Sequence, residues 1–246
     1  MPLIEEMEGS GKRLFRWRSY FPLLMVLLIV ASLGYFRYPF GSALLHQMWE
    51  FFCVLVGLFG VAIRGLTAGF VPHKTSGRNT KRQIAASLNT TGMYSIVRNP
   101  LYLGNFFMVL SIALYLHLWW VLVIYVLAFM LYYERIIFAE EMFLRHCFGE
   151  EYMAWACGTP AFFPKISRWQ KPALPFSFRA LIRREYQGSF GLIMALFATD
   201  EMTELHLGHG WRPDVMWVWI VGLATGLYVV VRILHKKTNL LRVKGR

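Results

Sequence analysis

"YSIVRNPLYLGN", residues Tyr94–Asn105, decides how the chain is read. The stretch holds Arg98, Asn99, Pro100 and two tyrosines, and an uncharged run follows it to Tyr133. Polar, helix-breaking residues at the mouth of an apolar segment are either the end of a loop or the wall of a site. Composition sets the setting. The chain is 57% hydrophobic, with 20 Phe and 9 Trp, and its mean hydropathy is +0.43. The apolar residues come in blocks, which reads as an all-α integral membrane protein. A net charge of +12 would suggest nucleic acid in a soluble chain. In a membrane chain it reads as loops held at anionic lipid, and no nucleic-acid partner is expected. Cys53, Cys147 and Cys157 form no CxxC pair, so neither a disulfide nor a metal site is expected. His206 and His209 in "HLGH" have metal-like spacing but no suitable carboxylate or cysteine placed beside them. No small-residue cleavage site follows the first apolar run, so it is read as a retained helix.

Uncharged runs give about six crossings: Tyr20–Phe36, Leu44–Ile63, two within Leu101–Phe138, Gly188–Thr199 and Asp214–Leu234. The run Asn105–Tyr133 would make a single helix of roughly 44 Å against a hydrocarbon core of about 30 Å. Two helices with a tight turn near His117 fit better. The positive-inside rule agrees. With the N-terminus inside, only Arg37 and Arg212 of the 26 Lys and Arg lie outside. The hairpin returns the chain to the side it left. Arg98–Asn105 and Glu134–Tyr152 thereby become neighbours.

The second of these segments reads as a helix leaving the membrane. Gly149 is expected to end it. Glu141 and Arg145 are spaced i, i+4, a stabilising pair. Glu140 then points about 100° away. A carboxylate at the membrane face needs a cation, and Arg98 or a cationic ligand would serve.

Arg98-Asn99-Pro100-Leu101-Tyr102-Leu103-Gly104 resembles the R-H-P-x-Y-x-G segment of the isoprenylcysteine carboxyl methyltransferases, a family related to the phospholipid methyltransferases. Glu140-Glu141, Leu144, Phe148-Gly149, Tyr152 and Phe162-Phe163-Pro164 are similar to that family's E-E-x-x-L-x-x-x-F-G-x-x-Y … I-P tail. Asn99 stands where many members have histidine. The resemblance implies an S-adenosylmethionine pocket at the cytoplasmic end of the hairpin, open sideways to lipid. By position it places Arg98, Asn99, Pro100, Tyr102, Leu103, Gly104, Glu140 and Tyr152 around the cofactor, with Arg98 and Glu140 in catalytic roles. Arg98 suits a carboxylate as a bidentate donor. Glu140 suits an ammonium. Gly104 permits close backbone approach. Tyr102, Phe148 or Trp155 would cover an adenine.

The segment before the motif carries Arg64, His73, Lys74, Arg78 and Arg82. Methyl transfer is an in-line displacement in which positioning does most of the work. An anionic oxygen needs no base, so these residues are expected to hold an anionic lipid head, with Arg78 nearest the chemistry. The leading acceptors are a lipid phosphate, lipid A included, and an isoprenylcysteine-type carboxylate. Other readings are a phospholipid N-methyltransferase, an NADPH-dependent membrane reductase and a non-enzymatic lipid-binding protein.

Three regions follow: N-terminal helices 1–63, a methyltransferase core 64–164 and a C-terminal helix pair 165–246. The last would close the lipid side of the site, guide the acceptor or mediate a homodimer. Both termini and the site are expected on the cytoplasmic side of a bacterial inner membrane.

Overall fold

The computed structural model describes residues 2–72, 75, 85–211, 213–243 and 245. Eight α-helices carry the fold: α1 (Leu3–Trp17), α2 (Phe21–Ser32), α3 (Ala43–Phe70), α4 (Met93–Ile96), α5 (Pro100–Tyr115), α6 (Trp119–Gly158), α7 (Phe178–His206) and α8 (Val215–Lys237). No strand occurs among the described residues, so the expected all-α class holds.

The expected hairpin is there. α5 starts with Pro100 in its first turn and stops at Tyr115, and α6 starts at Trp119. Between them His117 takes the left-handed φ of 57° that a tight turn needs. The Trp49 indole donates to the Leu114 carbonyl at 2.8 Å, satisfying one of the acceptors that a helix end leaves open. At its far end α6 breaks at Gly149, whose φ of 51° and ψ of −122° are not helical. The glycine predicted to end the helix does so, and about two and a half further turns follow, to Gly158.

The span count differs from expectation. Three helices are long and apolar enough to cross a membrane: Leu44–Phe70, Trp119–Gly158 and Val215–Lys237. A fourth counts if Leu3–Trp17 and Phe21–Tyr35, bent by 76°, act together. α5 has 16 residues, about 24 Å, less than the bilayer core. α7 has length enough, but its Asp, Glu and Arg residues make it too polar.

α3 and α5 meet along small residues. A Cβ built on Gly60 would lie 2.6 Å from the Gly104 carbonyl oxygen, and one on Gly57 would lie 2.9 Å from Ser111 Oγ. Burial of apolar surface does not drive helices together in lipid, so close backbone contact of this kind supplies the packing. α7 closes on the other side of α3. Cys53, Tyr115, Leu192, Leu196 and Trp217 form one buried cluster drawn from α3, α5, α7 and α8. A boundary after residue 63 falls inside α3, and the C-terminal helices share a core with the rest.

A second cluster joins Phe15, Phe21, Met25 and Ile29 of α1 and α2 to Tyr102, Phe129, Tyr133 and Ile136. Phe129 and Tyr133 stack with centroids 4.2 Å apart. Aromatic pairs of this sort add about 0.5–1.5 kcal/mol beyond area burial.

Candidate functional site

The motif and the tail beyond α6 are bound to each other mainly through the backbone. The Arg98 amide donates to the Pro160 carbonyl at 2.9 Å, and the Lys165 amide to Ile96 at 2.9 Å. The Asn99 side-chain amide donates to the Ala161 carbonyl at 3.0 Å. The Trp155 indole donates to the Tyr94 carbonyl at 3.1 Å. Asn99 precedes a proline, which disfavours helical backbone and leaves the residue free to face the tail. The polar stretch is therefore a docking strip, and the two segments expected to be neighbours are neighbours.

Arg98 sits where strip and tail meet. Its Nη1 donates to the Ala156 carbonyl at 3.1 Å. Its Nε lies 3.1 Å from Glu141 Oε1. The two atoms are close but not aligned for a hydrogen bond, and each is buried without another partner. The Tyr152 hydroxyl is buried and unpaired beside them, and Tyr152 and Trp155 meet edge to face at 5.7 Å. Polar atoms left this way cost free energy unless a ligand completes them. Arg98, alone of the three, also lines a cavity of about 520 Å³, together with Cys157, Thr159, Phe163, Lys165 and Arg168.

This corrects the expected pairing. Glu141 faces Arg98, not Arg145, and Glu140 faces neither. The reason lies in the helix: α6 runs unbroken to Gly149, so the 100° between adjacent residues turns Glu141 to the strip and Glu140 to the N-terminal helices. Glu140 Oε1 receives Arg18 Nη1 at 3.4 Å, and the same nitrogen donates to the Tyr102 hydroxyl at 3.2 Å.

Pro100 is fully buried at the helix start, and Leu103 packs among Ile63, Met93, Ile96 and Val97. Gly104 meets α3 rather than the cluster. A Cβ there would lie 2.4 Å from Arg64 Cγ. Arg64 was expected at a lipid head, but its guanidinium is occupied. It forms a two-pronged pair with Glu185 of α7, at 2.7 and 3.1 Å, and also donates to Asn105. Glu185 is 4% exposed. His73, Lys74, Arg78 and Arg82 lie outside the described residues.

Sequence reasoning missed Arg18, Glu185 and the role of Glu141. Arg18 and Glu185 sit in charged runs that read as membrane flanks, with no local sign of a partner more than a hundred residues away.

The opposite end of the bundle holds a second polar group. The Trp217 indole donates to Glu50 at 2.6 Å, the Tyr115 hydroxyl to Asp200, and the Tyr38 hydroxyl to Glu204 at 2.7 Å. His46 Nδ1 and His117 Nε2 lie 3.0 Å apart. Burial first, and His46 second, pushes the His117 imidazole down to about 4. No set of three or more His, Cys, Asp or Glu able to hold a metal ion occurs among the described residues.

The model of the phospholipid methyltransferase family matches residues 73–151. The nickel-cobalt-cadmium resistance protein NccN of Alcaligenes xylosoxydans xylosoxydans is 31% identical over 122 residues, 50% of this chain and 57% of that protein. The cobalt-zinc-cadmium resistance protein CzcN of Cupriavidus metallidurans is 30% identical over 148 residues, 60% of this chain and 63% of that protein. The chain thus spans less than two thirds of the length of either relative. No solved structure matches. The matched region contains the docking strip, the hairpin and both adjacent glutamates, and over it the chain is similar to the phospholipid methyltransferase family, which is related to the isoprenylcysteine carboxyl methyltransferases.

Proposed function

We propose that the protein transfers a methyl group from S-adenosylmethionine to an anionic oxygen on the head of a membrane lipid. The observation that carries this reading is the Arg98–Glu141–Tyr152 cluster, inside or next to the family region, where a misaligned ion pair and a phenol hydroxyl are buried together. A ligand bearing both a carboxylate and an ammonium fits it. Arg98 takes the carboxylate. Glu141, with Glu140 beside it, takes the ammonium. Tyr152 and Trp155 offer aromatic surface to a base. When bound, adenosylmethionine supplies an electrophilic methyl on a sulfonium. The residues around it bind, orient and exclude water, which is most of what an in-line displacement asks.

Lys165 and Arg168 at the cavity favour an acceptor with negative charge, either a lipid phosphate or an isoprenylcysteine-type carboxylate. Arg78 and Arg82 are proposed to share this role. The distribution of basic residues favours a site on the cytoplasmic side of a bacterial inner membrane, with both termini there. The family description favours a second reading, N-methylation of an aminophospholipid. The names of both relatives concern resistance to divalent metal ions. Esterifying an anionic head removes one negative charge from the membrane surface, and with it a ligand for such ions.

Radiolabelled adenosylmethionine, the purified protein and a lipid extract of the host test this. Base-stable label in a phosphorus-containing lipid, resolved by mass spectrometry into O-methyl or N-methyl, separates the phosphate from the amine reading. Release of the label as methanol under mild base identifies a carboxylate. No label in any lipid sinks the proposal.

A further inference from the structure

The family region begins at residue 73, yet one of its two adjacent glutamates is paired with a residue far outside it. α1 lies against α6 over the turn just before Glu140. A Cβ on Gly11 would sit 2.1 Å from the Arg135 carbonyl oxygen and 2.8 Å from Ala139 Cβ, so only glycine lets the two backbones touch. Arg135 Nη1 donates to Ser10 Oγ at 3.1 Å, and the Tyr132 hydroxyl donates to the Leu14 carbonyl at 3.2 Å. Phe15 is buried with Phe21 and Tyr133. These contacts fix the register of α1 along α6. The next turn then delivers Arg18, whose guanidinium lies 4.1 Å from the Phe15 ring centroid and reaches both Tyr102 and Glu140.

Three groups face Glu140 here: Arg18 from the turn after α1, Tyr102 from α5 and Glu141 from α6. Arg98 is taken by Glu141. Two adjacent carboxylates served by one cation would not both stay charged, because like charges and burial each favour the neutral acid.

We propose that Arg18 is a positioning residue for the site. It keeps Glu140 ionised on the α1-facing side of α6, where its charge adds to that of Glu141 toward the ligand's ammonium, and α1 is the arm that brings Arg18 there. The proposal rests on the functional reading above, and its test separates the two.

Adenosylmethionine affinity would be measured by calorimetry on the full chain in nanodiscs, from pH 6 to 9, for wild type, Arg18→Met, Arg18→Lys, Glu140→Gln and Arg18→Met/Glu140→Gln. Arg18→Met is expected to weaken binding about tenfold at pH 7, less as pH rises and Glu140 ionises unaided. Arg18→Lys should recover most of the loss. The double variant should bind no worse than Glu140→Gln alone. Gly11→Leu, which alters no site side chain, should copy Arg18→Met by pushing α1, and Arg18 with it, off α6. A loss that is equal at every pH, or that adds to that of Glu140→Gln, overturns the proposal. Failure of the wild type to bind adenosylmethionine overturns the functional reading instead. In that case the melting temperatures of the same four-way cycle decide: coupling between Arg18 and Glu140 upholds the positioning contact, and additivity removes it.

Discussion

The two ends of the helix bundle handle buried charge in opposite ways. At the end away from the motif, the buried carboxylates are met by neutral donors, Glu50 by an indole and Asp200 by a tyrosine hydroxyl, while Glu204 is shared by the Tyr38 hydroxyl and His209. Those contacts are short and directional. At the motif end the carboxylates are met by guanidinium groups, and two of the three pairs are loose. Arg18–Glu140 is 3.4 Å long, and Arg98–Glu141 lacks hydrogen-bond alignment. Only Arg64–Glu185 is closed on both prongs. A neutral hydrogen bond fixes a shape and has little to offer a charged visitor. A misaligned ion pair can exchange each half for a better partner. On the proposed function, the difference separates the end where a zwitterionic ligand would enter from the end where the protein holds itself together.

If that contrast is right, the largest loss of stability should come from the closed pair, and it should spare binding. Glu185→Ala strands Arg64 in the core and is expected to cost about 3–5 kcal/mol. Thermal unfolding in detergent reads this. Adenosylmethionine affinity per folded molecule should stay close to wild type, and a collapse of binding out of proportion to unfolding would erase the distinction between strut and site.

The reverse pattern is expected at the loose pair. Arg98→Ala and Glu141→Ala should each weaken adenosylmethionine binding by about 2–5 kcal/mol, since each leaves a charged ligand group unpaired. Their melting temperatures should shift little. Should Glu140→Ala be far more damaging than Glu141→Ala, the ammonium belongs to the former, and the geometry around Arg98 has been misread.

At the other end, Trp217→Phe removes the donor to Glu50 and should cost about 1–3 kcal/mol of stability. Binding of adenosylmethionine should not change. An effect on turnover without an effect on folding would mean that the two ends communicate.

The smallest effect concerns acid. The His117 imidazole is lowered to about 4 from an ordinary value of 6.5. The folded chain therefore binds that proton less readily than the unfolded chain, and stability falls as pH drops from 6.5 toward 4. His117→Asn keeps a residue that tolerates the left-handed turn. It should flatten this part of the melting-temperature profile, and an unchanged slope would show that His117 titrates freely.

Local signals were the legible ones. Gly149 announced a break, and the overlong run Asn105–Tyr133 a turn near His117. Each of these rests on the backbone chemistry of a few neighbouring residues. The pairing of polar segments followed from the hairpin alone. The partners within it did not. Counting Arg18 and Arg64 as inside charges told which face they occupy and nothing about Glu140 or Glu185, because those contacts span 122 and 121 residues. The number of crossings was overread for a related reason. An uncharged run measures greasiness, but α5 is cut short by its own turn, and the charges of α7 find partners in neighbouring helices that hydropathy does not see. Asn99 was legible as an exception to a pattern. That its amide would seek the Ala161 carbonyl was not, since a backbone acceptor has no sequence signature.

The same long reach gives the molecule a clock. The strip carrying Arg98 cannot be clasped until residues 156–165 have been made, and Arg64 cannot be closed until Glu185 follows. A ribosome that has just completed residue 151 has finished the whole family region, yet it has delivered none of the carbonyls that hold Arg98 and no counter-charge for Arg64. The nascent chain would wait in the membrane with its hairpin inserted and Arg98 unclasped, so the site is closed only by sequence made after the matched region.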